Sequence, residues 1–201
     1  AYENGCKLEK INICDIAAKN GCLELLKYGY ENNIGFLSKN VCTIAAENGN
    51  LECLIYAYEN GADWYRITCS RASSYNYLDC LRYAHENGCP WDIQTCDEAA
   101  IHGSLECLRY AHENGCPWDS YTVNCAIENN HLECFKYAIE NGCEWNKQKC
   151  IDIAIEHDSS EILAYILEND TSNLNELVVI PQVEITQYKN CTCCICLDKI
   201  I

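Results

Sequence analysis

The sequence has few cations, no methionine and no long apolar run. Its 201 residues include 14 Lys and Arg against 30 Asp and Glu, which gives a formal net charge of −16. Proteins that bind double-stranded nucleic acid usually neutralise its phosphates with many Lys and Arg side chains, and this chain is too acidic to form such a surface. The longest apolar stretches, such as 177–180, are far shorter than the roughly 18 residues that a membrane helix needs. Neither a nucleic acid nor a membrane is therefore expected as a partner.

The composition nevertheless favours a folded chain. Apolar residues make up 49% of it, enough for a sizeable core or an elongated array, which argues against intrinsic disorder. Methionine is absent altogether, and Ala1 falls inside an expected helix. We therefore expect the sequence to be an internal piece of a longer protein.

An internal repeat of 27 to 28 residues dominates the sequence. Trp and Tyr residues recur at intervals of 27, at Trp64, Trp91, Trp118 and Trp145 and at Tyr56, Tyr83, Tyr110 and Tyr137. A fixed period in this range is typical of a solenoid built from one repeated unit. Each unit predicts two helices joined by a turn. The first begins after a capping residue such as Asp92, and the second carries apolar residues at helical spacing, as in Leu105, Leu108 and Ala111. Gly103 interrupts the chain between the two helices, and Gly115 supplies a left-handed C-terminal cap.

These units resemble ankyrin repeats. The resemblance is carried by residues 45–54 (AAENGNLECL) and 59–63 (ENGAD), and it extends over residues 1–169 as about six units. It implies an all-α fold, a solenoid of stacked helix-turn-helix ankyrin-like repeats. The units are about six residues shorter than the usual 33 or so, and residues 95–98 (TCDE) replace the family's Thr-Pro-Leu-His opening. We therefore expect a tight turn in place of the projecting β-hairpin. Short units rich in Cys-Pro-Trp-Asp most resemble the ankyrin arrays of giant viruses and their amoebal hosts.

The 19 cysteines fall into two groups, fifteen between Cys6 and Cys150 and four between Cys191 and Cys196. Two interpretations fit the first group. Cysteines on helix faces, such as Cys96 and Cys107, behave as buried core residues in a reducing compartment. This interpretation predicts an intracellular protein, in the cytoplasm of its own or of a host cell. Alternatively, His and Cys four residues apart, at His85 and Cys89 and at His112 and Cys116, bind a metal.

Two further repeated features also allow more than one interpretation. The tryptophans either pack between neighbouring units or form a stacking platform for a ligand. Acidic residues recur in the first turn of the second helix and just before its end, so a uniformly negative solenoid would attract cationic partners. Four cations, Lys27, Arg82, Arg109 and Lys136, each stand four residues before one of the later glutamates. They predict exposed ion pairs worth about 0.3 kcal/mol apiece.

No recurring group of residues in the array has the spacing of a catalytic signature, so we expect recognition instead of chemistry. Recognition residues are sought where the units differ, mainly on the first helices, which in a solenoid line one concave surface. The third unit departs most from the others, because it has two arginines and several tyrosines, a combination common at interface anchors. The alternative is a degenerate unit under weak constraint. The predicted partner-binding residues are Tyr65, Arg66, Arg71, Tyr75, Gln94, Glu98, Tyr121 and Asn124.

The C-terminal segment differs in composition from the array. Residues 170–190 are predicted to be a linker, and residues 191–201 (CTCCICLDKII) resemble the start of a RING finger. That resemblance implies that Cys193 and Cys196 form the first half of a tetrahedral zinc site, which further ligands downstream would complete. Another kind of zinc ribbon and a loose cluster that binds soft metals are the alternatives.

Together these resemblances imply a protein–protein interaction module. The more specific hypothesis is the substrate-recognition part of an ankyrin–RING ubiquitin ligase, whose RING would bind a ubiquitin-conjugating enzyme. The alternative is an adaptor without enzymatic activity that binds or sequesters a protein, which in a virus would be a host protein.

Overall fold

The computed structural model describes residues 12–169, which form six helical pairs and contain no strand. The all-α solenoid predicted from the sequence is confirmed there, and the segments between these pairs contain no β-hairpin. The predicted linker and RING-like segment lie outside the described residues. The helices are α1 (Ile13–Lys19), α2 (Leu23–Glu31), α3 (Val41–Glu47), α4 (Leu51–Glu59), α5 (Thr68–Ser74), α6 (Leu78–Glu86), α7 (Ile93–His102), α8 (Leu105–Glu113), α9 (Ser120–Glu128), α10 (Leu132–Glu140), α11 (Lys147–Glu156) and α12 (Ser160–Glu168).

The predicted caps begin and end the helices. The Asp92 carboxylate accepts a hydrogen bond of 3.0 Å from the Gln94 amide at the start of α7, which satisfies one of the free donors of the first turn. Asp119 and Asn146 do the same for α9 and α11. At the end of α8, Gly115 has a φ of +84°. This left-handed residue lets the next amide bond back to the helix, and the chain turns without a further element.

Buried small residues bring the first helices of neighbouring pairs close together. In α7, Cys96, Ala99 and Ala100 are completely buried, whereas the second helix α8 buries the larger Leu108. The first helices consequently pack closely along the whole row, and the second helices contact their neighbours less. A stack that is tighter on one side curves toward that side. The row of first helices therefore forms the inner face, and the row of second helices forms the outer face.

The turn between the two helices of a pair fits against the residue that precedes the second helix of the next pair. Gly103 has a φ of +69°, and a Cβ atom there would lie 2.6 Å from Nδ1 of His131. In the same way Gly21 lies against Asn50, and Gly49 against Tyr77. Where the next pair carries only a serine, at Ser104 and Ser159, the turn residue is instead Asn76 or Asn130, at φ +58° and +56°. A turn without a side chain thus accompanies a large neighbour, and a turn with a side chain accompanies a small one.

Hydrogen bonds from the same residues connect successive pairs. The His131 ring nitrogen Nε2 lies 3.0 Å from the carbonyl oxygen of Ile101, and the Ser159 hydroxyl donates to the carbonyl of Ile127 over 2.5 Å. Each bond joins residues about one repeat apart. The His131 ring reaches the Ile101 carbonyl near the end of α7, an acceptor of the kind that a helix end leaves free. The Ser159 hydroxyl adds a second hydrogen bond to the Ile127 carbonyl, which also accepts from the Asn130 amide. The array is therefore held together by polar contacts as well as by its apolar core.

The predicted ion pairs of the outer face are wrong. The Lys136 ammonium pairs with Glu133, 3.0 Å away, instead of with Glu140, which accepts a hydrogen bond from the Tyr165 hydroxyl. Lys27 likewise pairs with Glu24. Arg82 and Arg109 lie over tyrosine rings of the following pair, with the Arg109 guanidinium carbon 5.1 Å from the centre of the Tyr137 ring. The helical spacing does not reveal these partners, because the tyrosines belong to the next unit.

Candidate functional site

The predicted partner-binding residues lie on the inner face or at its edge, but not all of them are accessible. Tyr65 and Arg66 precede α5, Arg71 lies on α5, and Tyr75 caps its end; all four are exposed. Gln94 and Tyr121 are exposed near the starts of α7 and α9, and Glu98 is half-buried. Asn124 is only 6% exposed, so its side chain offers little surface to a partner.

Four exposed residues of the third helical pair, Tyr65, Arg66, Arg71 and Tyr75, make up what we call the third-pair patch. The Tyr75 ring stacks against the ring of Tyr77, which is not part of the patch, with ring centres 6.3 Å apart. Neither arginine of the patch forms an ion pair with any described residue. The patch therefore presents two exposed cations without an ion pair in the described chain, together with two exposed aromatic rings.

The helix that carries this patch is well packed against its neighbours. The Thr68 hydroxyl on α5 shares a buried hydrogen bond of 2.7 Å with Thr43, and the Ser73 hydroxyl donates to the carbonyl of Thr95 over 2.8 Å. The third pair therefore keeps its buried polar side chains paired with both neighbours, as a folded unit of the array requires.

The inner face also contains a buried carboxylate that the sequence did not reveal as buried. Asp97 is 8% exposed, and one of its oxygens accepts a hydrogen bond of 2.6 Å from the Thr122 hydroxyl. Burial, together with the charges of Asp119, Glu98 and Asp92, raises the pKa of the Asp97 carboxyl. Four acidic groups are therefore close enough to influence one another electrostatically. The sequence offers one signal for this acidic group. Asp97 and Glu98 stand at positions where the preceding unit has Ser70 and Arg71.

The tryptophans pack within the array, which confirms the packing interpretation. The Trp91 ring stacks on His85 at 3.6 Å and meets the edge of Tyr110 at 6.3 Å. Trp118 stacks on His112 in the same manner, and Trp64 on Tyr58. These three rings are half-buried, whereas Trp145 is 39% exposed. The stacked histidine or tyrosine occupies one face of three of the four rings, so the row is not a free stacking platform.

The described cysteines behave as core residues. All except Cys22 are buried, and none of them forms a disulfide. Burial raises the pKa of the Cys107 thiol to about 12, which keeps it protonated and unreactive. Within residues 12–169 no three His, Cys, Asp or Glu side chains are grouped as metal ligands. His85, one half of a predicted pair, is instead stacked on Trp91 and lies 3.1 Å from the Tyr110 hydroxyl. No helix in this part of the chain is long and apolar enough to cross a membrane.

Comparison with known proteins agrees with this architecture. Residues 96–176 match a family model described as ankyrin repeats, three copies. Among solved structures, the human ASB11 ankyrin repeat domain is similar, with a TM-score of 0.66 and 18% sequence identity over 81% of this chain and 85% of that one. No curated protein sequence matches. The chain therefore has the fold of an ankyrin-repeat solenoid, and ankyrin repeats of the kind matched at residues 96–176 indicate a protein–protein interaction module.

Proposed function

We propose that this chain binds a protein partner through its inner face, with the third-pair patch as the anchor. The main support for this proposal is that the cations of the two faces differ in their contacts. On the outer face, Arg109 lies over Tyr137 and Lys136 pairs with Glu133. On the inner face, Arg66 and Arg71 have no such partner among the described residues.

The scaffold favours binding at this patch for an energetic reason. Arginine and tyrosine are enriched among the residues that contribute most to binding. The packed helix α5 holds Arg71 and Tyr75 one helical turn apart, so both lie on the same side of the helix. A partner therefore does not have to order the backbone that carries these two side chains, which reduces the entropic cost of association.

Charge reversal on each face tests the proposal. The double variant Arg66→Glu/Arg71→Glu is expected to lose captured partners, whereas the outer-face control Arg82→Glu/Arg109→Glu is expected to retain them. Both variants change the net charge by −4 at exposed positions, so a general charge effect would act equally on the two. Quantitative affinity capture with each variant makes the comparison. Equal loss in both, or unchanged capture by the inner-face variant, would contradict the proposal.

The finer proposal is that this interaction module selects the substrate of a RING-type ubiquitin ligase. Its support is the sequence from Cys193 to Asp198 (CCICLD), which resembles the first ligand pair of a RING finger. Cys193 and Cys196 would supply two thiolate ligands to zinc, and a completed RING would bind a ubiquitin-conjugating enzyme. Such a protein would act inside the cell, in the cytoplasm of its own or a host organism. The alternative is an adaptor that binds or sequesters a protein, possessing the same inner face and no zinc finger.

Zinc content distinguishes the two. A full-length ligase is expected to hold two zinc ions per molecule and to assemble ubiquitin chains with activating and conjugating enzymes present. Cys196→Ser should remove zinc and this activity while leaving partner capture intact. Full-length protein that contains no zinc would leave the adaptor as the function.

A further inference from the structure

Charges of opposite sign occupy different parts of the inner face. The third pair presents Arg66 and Arg71, both exposed and without ion pairs in the described chain. In contrast, residues 88–103 and 115–130, which form α7, α9 and the turns before them, contain no Lys or Arg. They contain five carboxylates, at Asp92, Asp97, Glu98, Asp119 and Glu128.

The helices α7 and α9 supply these carboxylates with no Lys or Arg of their own, and the lysines of the following first helix, Lys147 and Lys149, belong to α11. Glu98 accepts a hydrogen bond of 2.7 Å from the Ser74 hydroxyl and lies 3.6 Å from Nδ1 of His102. The Asp97 carboxylate accepts a hydrogen bond from the Thr122 hydroxyl and is more than nine-tenths buried. A buried carboxylate without a cationic partner costs stability. Asp97 itself offers little surface to a partner, so the carboxylates open to a partner's cation are the exposed ones, Asp92, Asp119 and Glu128.

An exposed aromatic ring lies among the same carboxylates. Tyr121, on α9, is 53% exposed. Its backbone amide donates a hydrogen bond of 2.7 Å to the Asp119 carboxylate at the start of the helix, and Glu128 lies at the end of the same helix. Tyr121 therefore follows directly on one of these carboxylates, and the surface of its ring remains open. A Lys or Arg side chain placed over such a ring gains a cation–π contact in addition to its attraction to the carboxylates.

We propose that the inner face binds an extended segment of a partner protein that carries both signs of charge. An acidic side chain of the segment pairs with Arg66 and Arg71, and a basic side chain lies over Tyr121 among the carboxylates of α7 and α9. This inference rests on the proposed function and specifies the partner's chemistry. A uniformly basic segment fits less well, because its other cations would face the two arginines.

The fold also sets the distance between the two charges of the segment. The acidic contact lies on α5 and the basic contact on α9, with α7 between them. Packed helices are about 8–10 Å apart, so the two contacts are separated by about 16–20 Å. An extended chain rises about 3.3 Å per residue. The acidic and basic side chains of the segment should therefore lie about five or six residues apart.

Two synthetic peptides of identical composition test this arrangement. The first, Glu-Glu-(Gly-Ser)₂-Lys-Lys, separates the charges by the required spacing, and the second, Glu-Lys-(Gly-Ser)₂-Glu-Lys, mixes them at both ends. Each is titrated at low salt into the full 201-residue chain, with binding followed through amide chemical shifts. The first peptide is expected to bind about fivefold more tightly, the effect of one or two exposed charge contacts. Its shifts should concentrate around Arg71 and Tyr121.

A matched pair of variants locates the basic end. Glu98→Gln/Glu128→Gln on the inner face should weaken the first peptide about fivefold. Glu52→Gln/Glu106→Gln on the outer face removes the same charge and should leave its affinity unchanged. Thermal unfolding of each variant confirms that it is folded.

Each alternative result overturns the inference. It falls if the two peptides bind equally, if both variants have the same effect, or if neither peptide binds at millimolar concentration. In those cases the proposed function is still decided separately, by partner capture with the arginine variants. Shifts confined to the outer-face glutamates would count against both.

Discussion

The fit between Gly103 and His131 predicts a strong energetic coupling across the junction of the fourth and fifth pairs. The perturbation is Gly103→Asn, His131→Ser and the two changes together. The double variant reproduces the combination that the chain already uses at Asn76 and Ser104. We expect each single change to destabilise the array and the double variant to recover much of the loss.

The structure gives the size of each effect. A Cβ atom at Gly103 would lie 2.6 Å from the His131 ring, and overpacking of this kind costs about 1–3 kcal/mol. Asn itself tolerates a left-handed backbone, so little conformational cost is added. His131→Ser removes the ring and its 3.0 Å contact with the Ile101 carbonyl, a loss of about 1 kcal/mol. In the double variant the clash disappears, so the coupling energy equals the cost of the clash, about 1–3 kcal/mol.

Urea unfolding followed by circular dichroism and tryptophan fluorescence measures the four free energies of this cycle. The slope of each transition must be compared among the variants, because repeat arrays can unfold in more than one step. If the two changes are additive within about 0.5 kcal/mol, the complementarity of the junctions does not contribute to stability and the reasoning is wrong.

Three further predictions concern the core, the buried carboxylate and the thiols. Leu108→Ala empties a fully buried site and should lower the free energy of unfolding by about 2–5 kcal/mol, whereas Leu167→Ala, at a site 53% exposed, should change it by less than about 0.5 kcal/mol in urea unfolding. Burial raises the pKa of Asp97, so the folded chain binds the proton more readily and gains stability as the pH falls through the interval between the unfolded and folded pKa values. Asp97→Asn should therefore be more stable than the wild type at neutral pH and lose this advantage below that interval, as melting temperatures would show. Among the described thiols, the exposed Cys22 should react with maleimide first, and Cys107 only on unfolding; equal rates by residue-resolved mass spectrometry would contradict the buried core.

The repeated part of the fold was predictable because its signals are local and recur. Capping by Asp92, the left-handed Gly115 and the apolar face of α8 each depend on residues within one unit, and each appeared in several units. Because the chain contains six such units, a pattern seen in one unit could be compared with the same positions of the others. The packing role of the tryptophans followed from the same logic.

Contacts between units were not predictable from spacing along the chain. The bond between Thr122 and Asp97 joins residues 25 positions apart, and Arg109 lies over Tyr137, 28 positions further along the chain, on the next pair. A helical pattern shows which side of a helix is apolar, but not which polar side chain of the next unit approaches it. For this reason the sequence pattern did not show that Asn124, which was predicted to contact a partner, is buried.

The complementarity of the turns restricts how such an array can gain or lose units. Removal of one unit, residues 83–109, would place the turn at Asn76 against His131, so that two side chains compete for one space. Removal of two units, residues 83–136, would place Asn76 against Ser159, a combination that the chain already contains at its other asparagine turn. Ankyrin-like units of this chain are therefore interchangeable only together with a matching junction. Deletion and duplication at this point should be tolerated in steps of two units more readily than in steps of one.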